Sequence, residues 1–300
     1  MIEGARRVGK STLTKQFAEN EYESYVMIDF SIVRDDVLEL FNHIDDLDYF
    51  FLQLQFRLAV SLKERKSLVI FDEVQKCPKA RQAIKHLVAD RRYDYIETGS
   101  LISIKKNVKD ILIPSEEEKL FLYPMDYEEF KWALGDNTAI PQLRMLFDKK
   151  LSIGDAVTRK LMRDFRIYMV VGGMPQAVDT YIDTNNLMEV DRVKRNIIQL
   201  YEDDFYKIDS SGRLSMLFDA IPAQLNSNAS RYQVASAIGN NTDSEKVLQL
   251  ISELRESMTI NMAYHANDPA VGMSLAMDLN KYKMYIGDTG LFITLAFKDK

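Results

Sequence analysis

Hydrophobic and polar positions along the first third of the chain alternate between two periods. Leu13 and Phe17 fall at helical spacing within Thr12 to Ala18, and Tyr25 to Phe30 reads as a short strand. Asp35 to Arg65 is mostly helical in pattern. The run Ser67-Leu68-Val69-Ile70-Phe71 then places four consecutive apolar residues ahead of Asp72 and Glu73, the signature of a strand buried on both faces of a parallel sheet. After Pro78, the segment Ala80 to Ala89 puts Ile84, Leu87 and Val88 on one helical face. Tyr93 to Thr98 and Lys119 to Leu122 are further strands. This alternation predicts an α/β core with a parallel sheet.

The period changes after that core. Asp126 and Glu129 form a capping box before Phe130 and Trp132, so a helix starts there, and Gly135-Asp136-Asn137-Thr138 interrupts the pattern. Ile140 to Phe218 is predominantly helical, with Gly172-Gly173-Met174-Pro175 as its clearest break. Further on, Ser230 to Ile238 reads as a short helix with Ser230 as N-cap and Gly239 beyond its end. Val247, Leu248, Ile251 and Leu254 mark a second helix, and Met258, Ile260, Met262 and Tyr264 alternate as a strand. Helix, helix, strand is the outline of a winged-helix-like module. The expected division is a core over 1–135, a helical lid or connector over 136–218, and a winged-helix-like module over 219–300.

Within the core, Gly4-Ala5-Arg6-Arg7-Val8-Gly9-Lys10-Ser11, followed by Thr12, has the spacing of a phosphate-binding loop. Glycines at these offsets let backbone N–H groups curl around a phosphate, Lys10 reaches the β- and γ-phosphates, and Ser11 offers a hydroxyl to Mg²⁺. A helix N-terminus behind the loop adds to the attraction for anions. Ligands of such sheets collect at the carboxyl ends of strands, which brings Asp72 to the Mg²⁺ side and leaves Glu73 to hold an attacking water as general base. Hydrolases need that base, whereas phosphotransferases use a substrate hydroxyl. The next strand, Tyr93 to Thr98, ends in Gly99-Ser100, and a polar side chain there could meet the γ-phosphate or the water.

Composition narrows the remaining classes. Of 300 residues 46% are hydrophobic and 28% charged, enough for two domains, and the net charge of −6 disfavours loose attraction to nucleic acid. One cysteine, Cys77, cannot form an internal disulfide. With no basic segment leading into an apolar secretory stretch and no run approaching the ~20 residues of a membrane span, a cytoplasmic location is expected. His43, His86 and His265 are scattered and suggest no zinc site. Arg159, Arg163 and Arg166 lie along one helical side, where a solvated basic face explains them as well as a charge-stabilising role does. The second helix of the winged segment carries Asp243, Glu245, Glu253 and Glu256 against Lys246 and Arg255, a poor match to phosphate. A protein partner is therefore preferred to DNA.

Together these residues resemble a prokaryotic family of AAA-type ATPases with a C-terminal domain of unknown function. The resemblance rests on the phosphate loop, Phe71-Asp72-Glu73-Val74-Gln75, Thr98-Gly99-Ser100, Tyr123-Pro124-Met125-Asp126-Tyr127-Glu128-Glu129-Phe130 and Gly172-Gly173-Met174-Pro175. It implies Mg-ATP binding, hydrolysis, and Ser100 as the polar sensor residue. Two departures stand out. The family has a full hydrophobic strand before the loop, whereas Met1, Ile2 and Glu3 alone precede Gly4 here, about 10 Å of strand, so a clipped start is expected. The family also continues past a segment like Tyr282 to Leu291 into a nuclease-like domain, and this sequence stops at Lys300.

The expected function is Mg-dependent ATP binding and hydrolysis that switches a C-terminal interaction module. The alternative is an ATP-binding regulator with little turnover that acts through the winged segment on DNA or a protein. A small-molecule kinase is a weaker third.

Overall fold

Strand β1 (Ile2–Gly4) runs into the phosphate loop and helix α1 (Lys10–Glu21) leaves it. Then follow β2 (Ser24–Asp29), α2 (Asp35–Leu40), α3 (Leu47–Leu58), β3 (Ser67–Asp72), α4 (Pro78–Asp90), β4 (Asp94–Gly99) and β5 (Leu120–Leu122). The computed structural model describes residues 1–99, 117–239, 243–268 and 272–298. They form two units, Met1–Leu122 and Tyr123–Lys300.

Among the described residues of the first unit five strands, all parallel, lie in the order β2-β3-β4-β1-β5. Three residues suffice to make β1 an interior strand, paired with β4 on one side and β5 on the other. Every residue of β3 is buried. Its alternating side chains serve two cores: Val69 and Phe71 pack with Val26, Ile28 and helices α2, α3 and α4, while Leu68 and Ile70 pack against Ala18 of α1. This double coverage is why the sequence there is continuously apolar. Helix α1 forms where the spacing of Leu13 and Phe17 predicts it. Leu13 and Phe17 are exposed, and the buried stripe is Lys10, Thr14 and Ala18, because small side chains let the helix lie close to the sheet.

A buried ionic group joins α4 to β4. Arg81 donates to Glu97 on β4 and to Glu117, and all three side chains are almost fully inaccessible. Arg81 Nε, Glu97 Oε1 and Glu117 Oε1 have no hydrogen-bond partner among the described residues. Burial, with Glu117 adding repulsion, pushes the Glu97 carboxyl up to about 7 against the pull of Arg81.

The second unit is largely helical: α5 (Tyr127–Ala133), α6 (Ala139–Asp148), α7 (Asp155–Val171), α8 (Pro175–Thr184), α9 (Leu187–Ile208), α10 (Arg213–Asp219) and α11 (Ile221–Asn226). It continues with α12 (Val234–Ile238), α13 (Ser244–Glu256), β6 (Ile260–Ala266), β7 (Met277–Ile286) and α14 (Thr289–Ala296), and β6 pairs with β7 antiparallel. The capping box is present. Asp126 accepts from the Glu129 amide at 2.9 Å and Glu129 accepts from the Asp126 amide at 2.8 Å. Ser230, however, does not cap α12, which begins at Val234. The Tyr232 amide donates to Tyr282 O at 2.7 Å on β7, and Gln224 clamps Gln233 through both of its amide atoms, so the chain is held extended until Gln233.

The break between α7 and α8 is a packed joint. Met125 N donates to Gly173 O at 2.8 Å, Tyr168 Oη donates to Met125 O at 2.9 Å, and Gly173 N donates to the buried Asp288 at 2.5 Å. Asp288 also caps α14, accepting from the Leu291 amide at 2.8 Å. A Cβ on Gly173 would sit 2.0 Å from Met125 O, and one on Gly290 would sit 2.3 Å from Val171 O. Only glycine allows these backbones to touch.

Gly173→Ala should cost at least the ~1–3 kcal/mol typical of overpacking; an unchanged urea midpoint for the second unit's transition would contradict the close approach.

Because the folded Glu97 carboxyl is raised from its ordinary 4.5 to about 7, the folded state binds more protons than the unfolded state in that window, and stability falls as pH rises through it. Melting temperatures measured from pH 4.5 to 7 should show this slope in the wild type and a flatter one in Glu97→Gln.

Candidate active site

The loop between β1 and α1 is shaped by its backbone. Gly9 sits at φ 100° as the N-cap of α1 and offers no side-chain acceptor, and the first turn of the helix carries no acidic residue. Its N-terminal amides therefore keep their affinity for an anion. Ala5 and Val8 are buried anchors of the loop, Arg6 and Arg7 are exposed, and Gly4 pairs with Leu122 at the end of β1. Arg7 adopts φ 67°. Thr12 is exposed in the first turn of α1.

Lys10 is buried, and its ammonium donates to Gly4 O at 3.0 Å and Ala5 O at 2.9 Å. Burial lowers its pKa, Arg6 adds to the lowering, and the charges of Glu73 and Asp72 oppose it. A desolvated cation in an anion-receptive loop gains most when a negative ligand arrives. Ser11 Oγ donates to Asp72 Oδ1 at 3.0 Å. The same oxygen accepts from the Thr98 hydroxyl, and the Glu73 amide donates to Thr98 Oγ1 at 3.4 Å. The structure thus brings Lys10, Ser11, Asp72 and Glu73 to one place, with β4 lying between the strand that enters the loop and the strand that ends in the acids.

Glu73 is half-buried and sits at φ 53°, a left-handed conformation that side-chain-bearing residues seldom adopt. Gln75 Nε2 donates to Glu73 Oε2 at 2.5 Å, which orients the carboxylate. Neither Thr98 nor Gln75 was singled out from the sequence as a site residue. Register carries the missed signal: β3 and β4 pair Phe71 with Glu97, so the residues that follow, Asp72 and Thr98, end the two strands side by side. Ser100, the expected sensor, lies outside the described residues. Arg159, Arg163 and Arg166 are exposed on α7 in the second unit.

A hydroxyl and a carboxylate at hydrogen-bond distance form a hard oxygen pair of the type that binds Mg²⁺, and a buried lysine beside an open helix end suits a triphosphate. The residues present fit Mg-ATP. Among the described residues, no cluster of three His, Cys, Asp or Glu side chains is arranged to hold a metal ion, and no helix is long and apolar enough to cross a membrane.

A parallel sheet whose first strand opens through such a loop into a helix defines a P-loop NTPase-like core. Residues 1–131 match the family model described as AAA domain, and residues 162–300 match a domain of unknown function (DUF8612). An AAA domain followed by a domain of unknown function is the arrangement of the AAA-type P-loop ATPase family that the sequence resembles. No curated protein matches it. Among solved structures, that of the Aeropyrum pernix ORC1 protein in complex with DNA aligns over 99% of this chain and 86% of that one, at 11% identity and a TM-score of 0.32. At that score the likeness carries no argument.

Left-handed backbone at Glu73 costs of order 1 kcal/mol that glycine would not. Glu73→Gly should therefore raise stability by up to about 1 kcal/mol in chemical denaturation; a less stable variant would show that the carboxylate and its Gln75 contact outweigh the backbone term.

Proposed function

We propose that the protein binds Mg-ATP in the loop of its AAA domain and hydrolyses it. The observation that carries this reading is the convergence of buried Lys10 with Ser11, Asp72 and Glu73 at the carboxyl end of one parallel sheet. In this reading the amides from Gly4 to Thr12 and the Lys10 ammonium hold the phosphates, and Ser11 and Asp72 hold Mg²⁺, which neutralises phosphate charge. Thr98 fixes Asp72 through its hydroxyl, and Ser100 senses the γ-phosphate. Glu73, aimed by Gln75, takes a proton from the attacking water. As the new oxygen–phosphorus bond forms, the bond between the γ-phosphorus and the bridging oxygen breaks, leaving ADP and inorganic phosphate.

The functional division we adopt is core 1–135, lid or connector 136–218 and module 219–300. The order α12, α13, β6, β7 supports a winged-helix-like module in the last part, and the acidic face of α13 favours a protein partner over DNA there. Hydrolysis would switch that module through the chain that leaves β5 and enters Tyr123 to Met125. We place the protein in the cytoplasm on the composition of the chain.

A second reading, an ATP-binding regulator with little turnover, has one observation in its favour. The Gln75 amide already occupies a Glu73 oxygen, which leaves one carboxylate oxygen fewer open to an attacking water.

Lys10→Ala should abolish ATP binding by isothermal calorimetry. Glu73→Gln should retain binding and lower phosphate release about 10²-fold or more, the usual contribution of a general base. Wild-type binding without phosphate release would select the regulator, and unchanged turnover in Glu73→Gln would remove Glu73 from the mechanism.

A further inference from the structure

Two faces, one in each unit, are left uncovered by the described residues of their own unit, and they have opposite charge. In the first unit, α3 buries Phe50, Phe51 and Leu54 but presents Tyr49, Leu52 and Phe56, which are 42%, 66% and 83% exposed. These three recur at steps of three and four, so they form one stripe along the helix. Asp48 lies one turn before Leu52 on the same side. From Ile32 to Leu58 the sequence holds six carboxylates, Asp35, Asp36, Glu39, Asp45, Asp46 and Asp48, against two cations, Arg34 and Arg57; Asp36 pairs with Arg34 at 3.0 Å and Asp48 with Arg92 at 2.7 Å. All six carboxylate residues are exposed.

In the second unit, α6 buries none of its ten residues. A helix that short is marginal unless an amphipathic face is packed against something, yet Phe147, one turn from Arg144 on the same side, is 82% exposed. The turn that follows and the start of α7 are equally open, and residues 155–160 are all exposed. From Ala139 to Arg166 the chain carries seven cations against three carboxylates, within a protein of net charge −6. Met162 is exposed and sits one turn from both Arg159 and Arg166, so apolar and basic groups share that side of α7.

We propose that these faces are the two halves of one interface: the basic apolar surface of α6 and the start of α7 on one copy takes the acidic apolar stripe of α3 on a second copy. Charge complementarity selects the occupant. The basic surface lies in an otherwise acidic chain, and the α3 stripe with the carboxylates around it supplies both the opposite charge and the apolar side chains that cover Phe147. A nucleic acid would satisfy the charges but leave Phe147 facing phosphate. The contact is asymmetric, so each copy keeps one unused half and association continues beyond a dimer or closes a ring. This inference is independent of whether the site hydrolyses ATP.

The test uses the full chain with Phe56→Asp and Phe147→Asp, both at exposed positions where the fold is not at stake. Light scattering coupled to size exclusion over a concentration series should give oligomers for the wild type that weaken as salt rises, and at least a tenfold weaker association for each variant alone. Mixed in equal amounts, the two variants should form a dimer and stop there, because one contributes an intact α3 stripe and the other an intact α6 surface. A wild type that is monomeric at every concentration overturns the proposal, as does a mixture no more associated than its components. Binding of a labelled oligonucleotide by monomeric wild type, lost on Lys149→Glu with Lys150→Glu, would overturn it in favour of nucleic acid.

Discussion

One carboxylate oxygen organises the N-terminal unit. Asp72 Oδ1 accepts from Ser11, which heads α1, and from Thr98, near the end of β4, so a single acceptor fixes a helix and two strands against one another. Its position follows from burial. Every residue of β3 is inaccessible, and a carboxylate at the end of such a strand has to find donors nearby. The two hydroxyls meet that need, and the amide of Glu73 then donates to the Thr98 hydroxyl. The alignment of the acid pair is therefore a by-product of satisfying a buried polar group.

Charge is handled differently on the other side of the same sheet. Arg81 meets Glu97 and Glu117 where little water can reach, and three of the polar atoms involved lack partners among the described residues. Pairing there does not fully offset desolvation, which is why the Glu97 carboxyl is driven upward beside a guanidinium. Glu97 and Thr98 are neighbours on β4 and point to opposite faces, so one strand contributes to an ionic core and to the nucleotide-side cluster at once.

The core was legible because its cues are local. The run before Asp72 is apolar on both faces since both faces are covered, and the loop spacing fixes where a helix must begin. The Asp126–Glu129 box also needs only four residues to declare itself. What escaped notice depends on distant partners. The spacing of Leu13 and Phe17 marks the helix but not its buried face, because the sheet lies too close for them and selects Thr14 and Ala18 instead. Ser230 has the chemistry of an N-cap, yet Tyr232 and Gln233 are held by Tyr282 and Gln224, and the helix waits until Val234. Thr98 and Gln75 gain their places from strand pairing and from the tight backbone at Glu73, neither of which has a composition.

The glycine joint of the second unit sets an order of events during synthesis. Gly173 meets Asp288, 115 positions later in the chain, and Gly290 meets Val171 across a similar span. The described strands of the first unit are all made by Leu122 and can fold as they leave the ribosome, whereas α7 and α8 cannot lock until α14 has been made. Until α14 emerges the nascent second unit is therefore a set of amphipathic helices without their keystone, open to chaperones for longer than the first unit.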